Sequence, residues 1–251
     1  MAFTPFLPWM VISALLGLTF GSFGSVLIAR IPAGQSILGR SRCPHCRHTL
    51  RAIELIPIVS YLLQRGRCRH CKRPISPRYI LIELAGAGIF VLAFLVSQQV
   101  LPTFLLALIL WLLLLVSLTD ARTRTIPDAL SVPLILLAAA YTITQRNFDT
   151  IGMLIPPLFF ATQWVVSRGR WVGSGDILLA AAGGFLVGSW QSSLLLLGIA
   201  YIAGALVASV LLLRGTANRK STIAFGPFLA LATVIVLFFG NQIMGFLLRK
   251  S

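Results

Sequence analysis

Asp120 and Asp176 are two of only six acids in a chain of 251 residues that is 57% hydrophobic. Asp120 closes a long apolar run in Leu118-Thr119-Asp120-Ala121-Arg122, and Asp176 ends the tetrad Gly173-Ser174-Gly175-Asp176 just ahead of another. A carboxylate at the end of a membrane helix is costly to bury and marks a functional site by default. Two that meet can share a proton and activate a water, one taking a proton from it while the other protonates a carbonyl or a leaving amine. The chemistry of such a pair is aspartic hydrolysis. Gly173 and Gly175 remove side chains from beside Asp176 and let an extended backbone approach. Asp128, eight positions past Asp120, is either an alternative partner or the N-cap of the next helix.

The four cysteines form a second constellation, Cys43-Pro44-His45-Cys46 and Cys68-Arg69-His70-Cys71. Two C-x-x-C pairs with 21 residues between them lie just beyond the usual zinc-ribbon spacing. Each pair supplies two thiolates from one tight turn, and two turns complete a tetrahedral S₄ site for Zn²⁺, with unligated or redox cysteines as the alternative. Four protein ligands leave no open coordination position, so the metal is expected to be structural. His45 and His70 sit inside the two turns, as replacement ligands or as exposed turn residues.

The elements that must position these residues are membrane helices. A mean hydropathy of +0.92 with 11% charged residues excludes an ordinary soluble domain. Eight apolar spans are expected, over about 8–29, 79–97, 101–119, 129–145, 150–166, 177–190, 192–213 and 223–247. The first has no basic residues ahead of it and reads as a span, not as a cleavable signal. The expected fold is an all-α polytopic membrane protein with a zinc-ribbon-like loop, residues 30–78, between its first two helices.

A formal charge of +15 raises the question of nucleic acid, and its distribution answers it. The basic residues concentrate in the 30–78 loop and then in alternate loops, at Arg122 and Arg124, Arg168 and Arg170, and Arg214, Arg219 and Lys220. The loops between them hold Gln98-Gln99, the neutral pair Arg146 and Asp149, and Trp190-Gln191. This bias marks cytoplasmic loops and contact with lipid headgroups, with no call for a nucleic-acid partner. It places both termini outside and both aspartates at the cytoplasmic face. Arg249 and Lys250 then fall on the wrong side.

With these residues in view, the chain resembles the prepilin peptidases, bifunctional leader peptidases and N-methyltransferases of the GxGD aspartic class. The resemblance runs through Gly21-Ser22-Phe23, Arg30-Ile31-Pro32, the cysteine pairs, Ile56-Pro57-Ile58-Val59-Ser60-Tyr61 and Pro74-Ile75-Ser76-Pro77-Arg78-Tyr79 with Glu83. It continues through Asp120, Ile126-Pro127-Asp128, the GxGD tetrad and Phe225-Gly226-Pro227-Phe228. It implies removal of the basic leader of type IV prepilins or type II secretion pseudopilins in the bacterial cytoplasmic membrane. Methylation of the new α-amine from S-adenosylmethionine would follow. Asp120 and Asp176 match the catalytic pair, and zinc on Cys43, Cys46, Cys68 and Cys71 is common in the subgroup that keeps them. Glu83 is a candidate contact for the substrate amine or the cofactor, and a pair with Arg78 is its alternative. Residues 1–97, with the metal loop, would serve methyl transfer, and residues 98–251 peptide cleavage.

The chain departs from the family pattern at Gly24-Ser25, Leu55 and Leu178, where Asn, Asn and Lys are usual. The first two fall in the half linked to methyl transfer. Two other classes compete. A proton or ion transporter predicts acids near mid-span, and these sit at span ends. A non-catalytic membrane adaptor presenting a zinc ribbon leaves the paired aspartates unexplained.

Overall fold

The computed structural model describes residues 6–97, 99–146, 148–216, 218 and 221–248. Gln98, Arg219, Lys220, Arg249 and Lys250 of the charge pattern lie outside them. The helices in chain order are α1 (Leu7–Arg30), α2 (Val59–Leu63), α3 (Arg78–Ser97), α4 (Val100–Thr123), α5 (Asp128–Gln145), α6 (Thr150–Ser167), α7 (Ser174–Val187), α8 (Trp190–Leu213) and α9 (Gly226–Leu248). No strand occurs among the described residues, only two isolated bridges in the cysteine loop. Among the described residues, seven helices are long and apolar enough to cross a membrane. The sixth of the eight expected spans is α7, whose 14 residues rise only about 21 Å against a hydrocarbon core of about 30 Å.

Four helix ends differ from the expected spans by three residues or more, one of them the C-terminal end of α7 at Val187, where Gly188 caps it with a left-handed φ of 71°. Helix α4 continues past Asp120 to Thr123, where Arg124 takes a left-handed φ of 56° and donates its N–H to the Asp120 carbonyl at 2.7 Å. Helix α7 begins ahead of Asp176, because extended Gly173 caps it and donates its N–H to the Asp176 carboxylate at 3.0 Å. Helix α9 begins at Gly226 with Pro227 in its first turn, where a missing N–H costs nothing. In α6 the prolines Pro156 and Pro157 do not interrupt the helix.

The chain forms two compact units, with the boundary between Ala107 and Leu108 inside α4. In the first, α1 and α3 pack backbone to backbone. A Cβ on Gly21 would lie 2.6 Å from the Glu83 Cα, and one on Gly17 would collide with the Gly86 carbonyl. Small residues give this closeness where water supplies no driving force between helices. Gly88 on the same helix meets nothing within 4 Å, so it is not a packing contact.

In the second unit α7 is the hub, packed on α5, α6, α8 and α9, with Leu179, Ala180 and Ala182 fully buried. Polar ties hold the neighbours in register. Thr142 Oγ1 donates to the Phe185 carbonyl at 2.7 Å, and Ser193 Oγ to the Gly152 carbonyl at 2.6 Å. Asp149 caps α6 through Ile151 N–H at 3.1 Å and also takes the Trp190 N–H at 2.8 Å, joining the starts of α6 and α8.

Candidate functional site

Three helix ends converge around the aspartates. Asp120 in the last turn of α4 is only 4% exposed, and its Oδ2 accepts the Gly226 N–H at 2.8 Å. Asp176 in the first turn of α7 is half-buried. Gly175, next to Asp176, and Gly226, the donor to Asp120, both close on Ile126, which brings the two aspartates to one place. Each accepts a backbone N–H at a helix N-terminus, Asp120 at that of α9 and Asp176 at that of α7. A helix N-terminus favours negative charge, and a first-turn N–H is an orphan that a carboxylate can satisfy.

Ile126, in the link between α4 and α5, is the wedge that sets this convergence. A Cβ on Gly175 would sit 2.6 Å from the Ile126 Cβ, and one on Gly226 would sit 3.1 Å from Ile126 Cδ1 and 2.8 Å from Asp120 Oδ2. Gly175 and Gly226 are therefore close-approach glycines. One seats the α7 turn on the α4–α5 link, and the other brings the α9 backbone onto Asp120. Phe225, just ahead of Gly226, packs on Tyr201 at 5.1 Å and on Phe160 at 5.7 Å. The GxGD and Phe-Gly-Pro motifs announce these glycines, but nothing in the spacing reveals that Ile126 touches both. Asp128 is exposed and is the first residue of α5, with Pro127 in the cap position. Arg124 turns to Thr222 Oγ1 at 3.2 Å.

In the first unit the four cysteine sulfurs all lie within 4.8 Å of one another, with Cys43 Sγ and Cys71 Sγ 3.9 Å apart. A tetrahedral site with metal–sulfur bonds of about 2.3 Å needs sulfur edges of about 3.8 Å, so the donor set fits a thiolate-bound metal. The two turns are built alike. Cys43 N–H donates to His48 and receives Arg47 N–H on its carbonyl. Cys68 N–H donates to Arg73 and receives Lys72 N–H, all at 2.9–3.0 Å. Arg47 and Lys72 take matching left-handed φ values of 57° and 59°. Burial pushes the Cys43 thiol up, but hydrogen bonds from the Cys46 and His45 backbones outweigh it and bring it down to about 7. The histidines stand apart from the sulfurs, His45 Nδ1 against Arg73 at 3.4 Å and His70 against the His48 ring at 4.7 Å.

Glu83 is buried in α3, 8% exposed, and its Oε2 accepts the Ile58 N–H at 2.8 Å. The loop backbone, not Arg78, is its partner among the described residues. Ile58 has φ of 60°, an outlier for a β-branched residue, and the buried carboxylate holds that turn in place.

Fold and site together define a polytopic helical membrane protein with aspartates at converging helix ends and a loop whose four cysteines lie close enough to bind a metal. Residues 15–97 match the bacterial peptidase A24 N-terminal domain, and residues 106–209 match the type IV leader peptidase family. A prepilin leader peptidase/N-methyltransferase of Burkholderia pseudomallei is 34% identical across 92% of this chain and 86% of its own length. Proteins of the same name from Stutzerimonas stutzeri and Bacillus subtilis are each 33% identical over 94% of this chain, covering 93% and 97% of their own lengths. The chain belongs to the type IV leader peptidase family. No solved structure matches it at a significant level.

Proposed function

We infer that this chain cleaves the leader from type IV prepilins or pseudopilins and N-methylates the newly exposed residue. The observation that carries the cleavage half is the pair of aspartates, each accepting a backbone N–H at a helix N-terminus and both gathered around Ile126, in an otherwise acid-poor chain. Asp120 and Asp176 are the catalytic residues in this reading. One carboxylate takes a proton from the attacking water while the other protonates the scissile carbonyl, and the proton then passes to the leaving amine. Gly226 N–H holds Asp120 in position, and the bare backbone at Gly173 leaves room for an extended substrate strand.

The metal on Cys43, Cys46, Cys68 and Cys71 is Zn²⁺ in this reading, and its role is structural. Four thiolates close the coordination sphere, and the metal ties the two turns together. S-adenosylmethionine is the methyl donor, with Glu83 among its contacts. Residues 1–97 serve methyl transfer and residues 98–251 serve cleavage. The protein lies in the inner membrane, N-terminus outside and peptidase site at the cytoplasmic face. The alternate-loop placement of basic residues and their attraction to lipid headgroups support this orientation.

Mass spectrometry of a prepilin incubated with the solubilised protein and S-adenosylmethionine tests both halves. The expected product lacks the leader and carries one added methyl group. A shortened product without the methyl group would remove the second activity and direct attention to Ser25 and Leu55. An intact substrate across several prepilins and pseudopilins would contradict the first.

A further inference from the structure

Four basic residues, Arg65, Arg67, Arg69 and Lys72, meet on one open cavity of about 690 Å³ in the first unit, against a single carboxylate, Glu54. That size is typical of ligand pockets, about 300–1,000 Å³. All four are exposed, and their side chains make no hydrogen bond or ion pair among the described residues. Glu54 gives one oxygen to Arg51 N–H at 2.8 Å. Like charges gathered in this way repel, and an anion among them relieves the repulsion. The same wall carries Ile53 and Leu63, 58% and 75% exposed, and the neighbouring Leu62 is 64% exposed. Apolar side chains bordering a cationic cavity fit a ligand with a negative head and an apolar body. The level of this edge is set by α3, which is apolar enough to span a membrane and starts at Arg78. Glu83 stands five residues further, about 7.5 Å along the helix axis. Its bond to Ile58 N–H at 2.8 Å holds the residue just ahead of α2 near that level. Helix α2, with Leu62 and Leu63, therefore starts at the boundary between water and lipid.

We propose that this cavity is a headgroup site for an acidic phospholipid. Arg65, Arg67, Arg69 and Lys72 take its phosphate, and Ile53, Leu62 and Leu63 lie against the start of its acyl chains. A general attraction between basic loops and lipid would be shared by every basic loop of the chain, whereas this site joins one cavity to one apolar edge. Arg67 and Arg69 flank Cys68, and Lys72 follows Cys71. A lipid bound here therefore fastens the second cysteine turn to the membrane surface. The proposal stands on the first unit alone and depends on neither enzymatic activity.

Displacement of a fluorescent phosphatidylglycerol from the detergent-solubilised full chain tests this, with unlabelled phosphatidylglycerol, phosphatidylcholine and inorganic phosphate as competitors. Phosphatidylglycerol should compete about tenfold better than phosphatidylcholine, or more, the scale set by a few basic residues at an anionic surface. Inorganic phosphate, with no apolar body, should not displace the probe. Arg65→Gln with Arg69→Gln should weaken the acidic lipid by about tenfold and leave phosphatidylcholine unchanged. Leu63→Ser should weaken both lipids together. Arg168→Gln with Arg170→Gln removes the same charge from another basic loop and should change neither. Zinc content per chain reports that the cysteine loop is folded. If the double variant loses its zinc, Arg65→Gln alone carries the test, since Arg65 flanks no cysteine. Equal competition by the two lipids overturns the proposal, and so does an equal loss from the two arginine pairs. Displacement by inorganic phosphate at the concentration where phosphatidylglycerol competes would make this a site for free anions and overturn the lipid assignment.

Discussion

Asp120 depends on a backbone donor that lies 106 residues further along the chain. Gly226→Ala would set a methyl group 2.8 Å from the carboxylate it must serve and 3.1 Å from Ile126 Cδ1. Either the carboxylate or the start of α9 must move. A displacement near 1 Å at a reacting group costs on the order of 10²-fold in rate, so cleavage should fall by about that factor while zinc content stays at the wild-type level. A leader-cleavage time course with the Gly226→Ala protein checks this. The reacting residues themselves are legible in the sequence, since a carboxylate in an apolar chain and a thiol pair at C-x-x-C spacing carry their chemistry in their type. Their supports are not. Ile126 is one aliphatic residue among many, and its contact with both Gly175 and Gly226 exists only once three helix ends have met. The hold of Glu83 on the strained Ile58 turn is hidden in the same way, 25 positions away on another element.

Helix contacts set the next scale. The close approach of α1 and α3 is built from Gly17, Gly21 and Gly86, with no space for a side chain at any of the three. Gly21→Leu forces the helices apart at Glu83. It should destabilise the protein by about 1–3 kcal/mol or more, the usual cost of overpacking, read as a lower midpoint of thermal unfolding in detergent. The cysteine turns answer to a different force. Their paired hydrogen bonds and left-handed residues are alike, and their four sulfurs lie within 4.8 Å of one another, close enough to bind one metal. Cys43→Ser or Cys68→Ser should reduce bound zinc from one ion per chain to a small fraction, with loss of stability, by metal analysis and thermal unfolding. Helix existence was readable from hydropathy, but helix ends were not. Arg124 and Gly173 decide where α4 and α7 stop and start through backbone hydrogen bonds, which hydropathy does not register. Both aspartates therefore lie inside helical turns and not beyond them.

At the level of the whole molecule, the seven long apolar helices among the described residues and the short α7 accommodate the alternating pattern of basic loops. If that pattern sets orientation, an export-dependent reporter fused after Phe148 should be active. The same reporter fused after Gly169 should be silent. The reverse result would invert the topology. The polytopic character was plain from composition, whereas the length of α7 was not. Its C-terminal stop at Gly188 comes from a left-handed cap with φ of 71°, a backbone property with only a weak signature in an apolar, glycine-containing run.

The most direct test of the paired-aspartate site compares prepilin cleavage by the wild-type protein with Asp120→Asn and Asp176→Asn. All three would be matched for zinc content and thermal midpoint. Asparagine keeps an acceptor for Gly226 N–H or Gly173 N–H and removes only the ability to carry or lose the proton. Each single substitution should lower the cleavage rate by on the order of 10²–10⁴-fold or more, the range of general acid–base catalysis. Since the two act as a unit, the double variant should be little worse than either alone. A folded, zinc-loaded protein that still removes the leader at the wild-type rate with either aspartate replaced would contradict the paired-aspartate site.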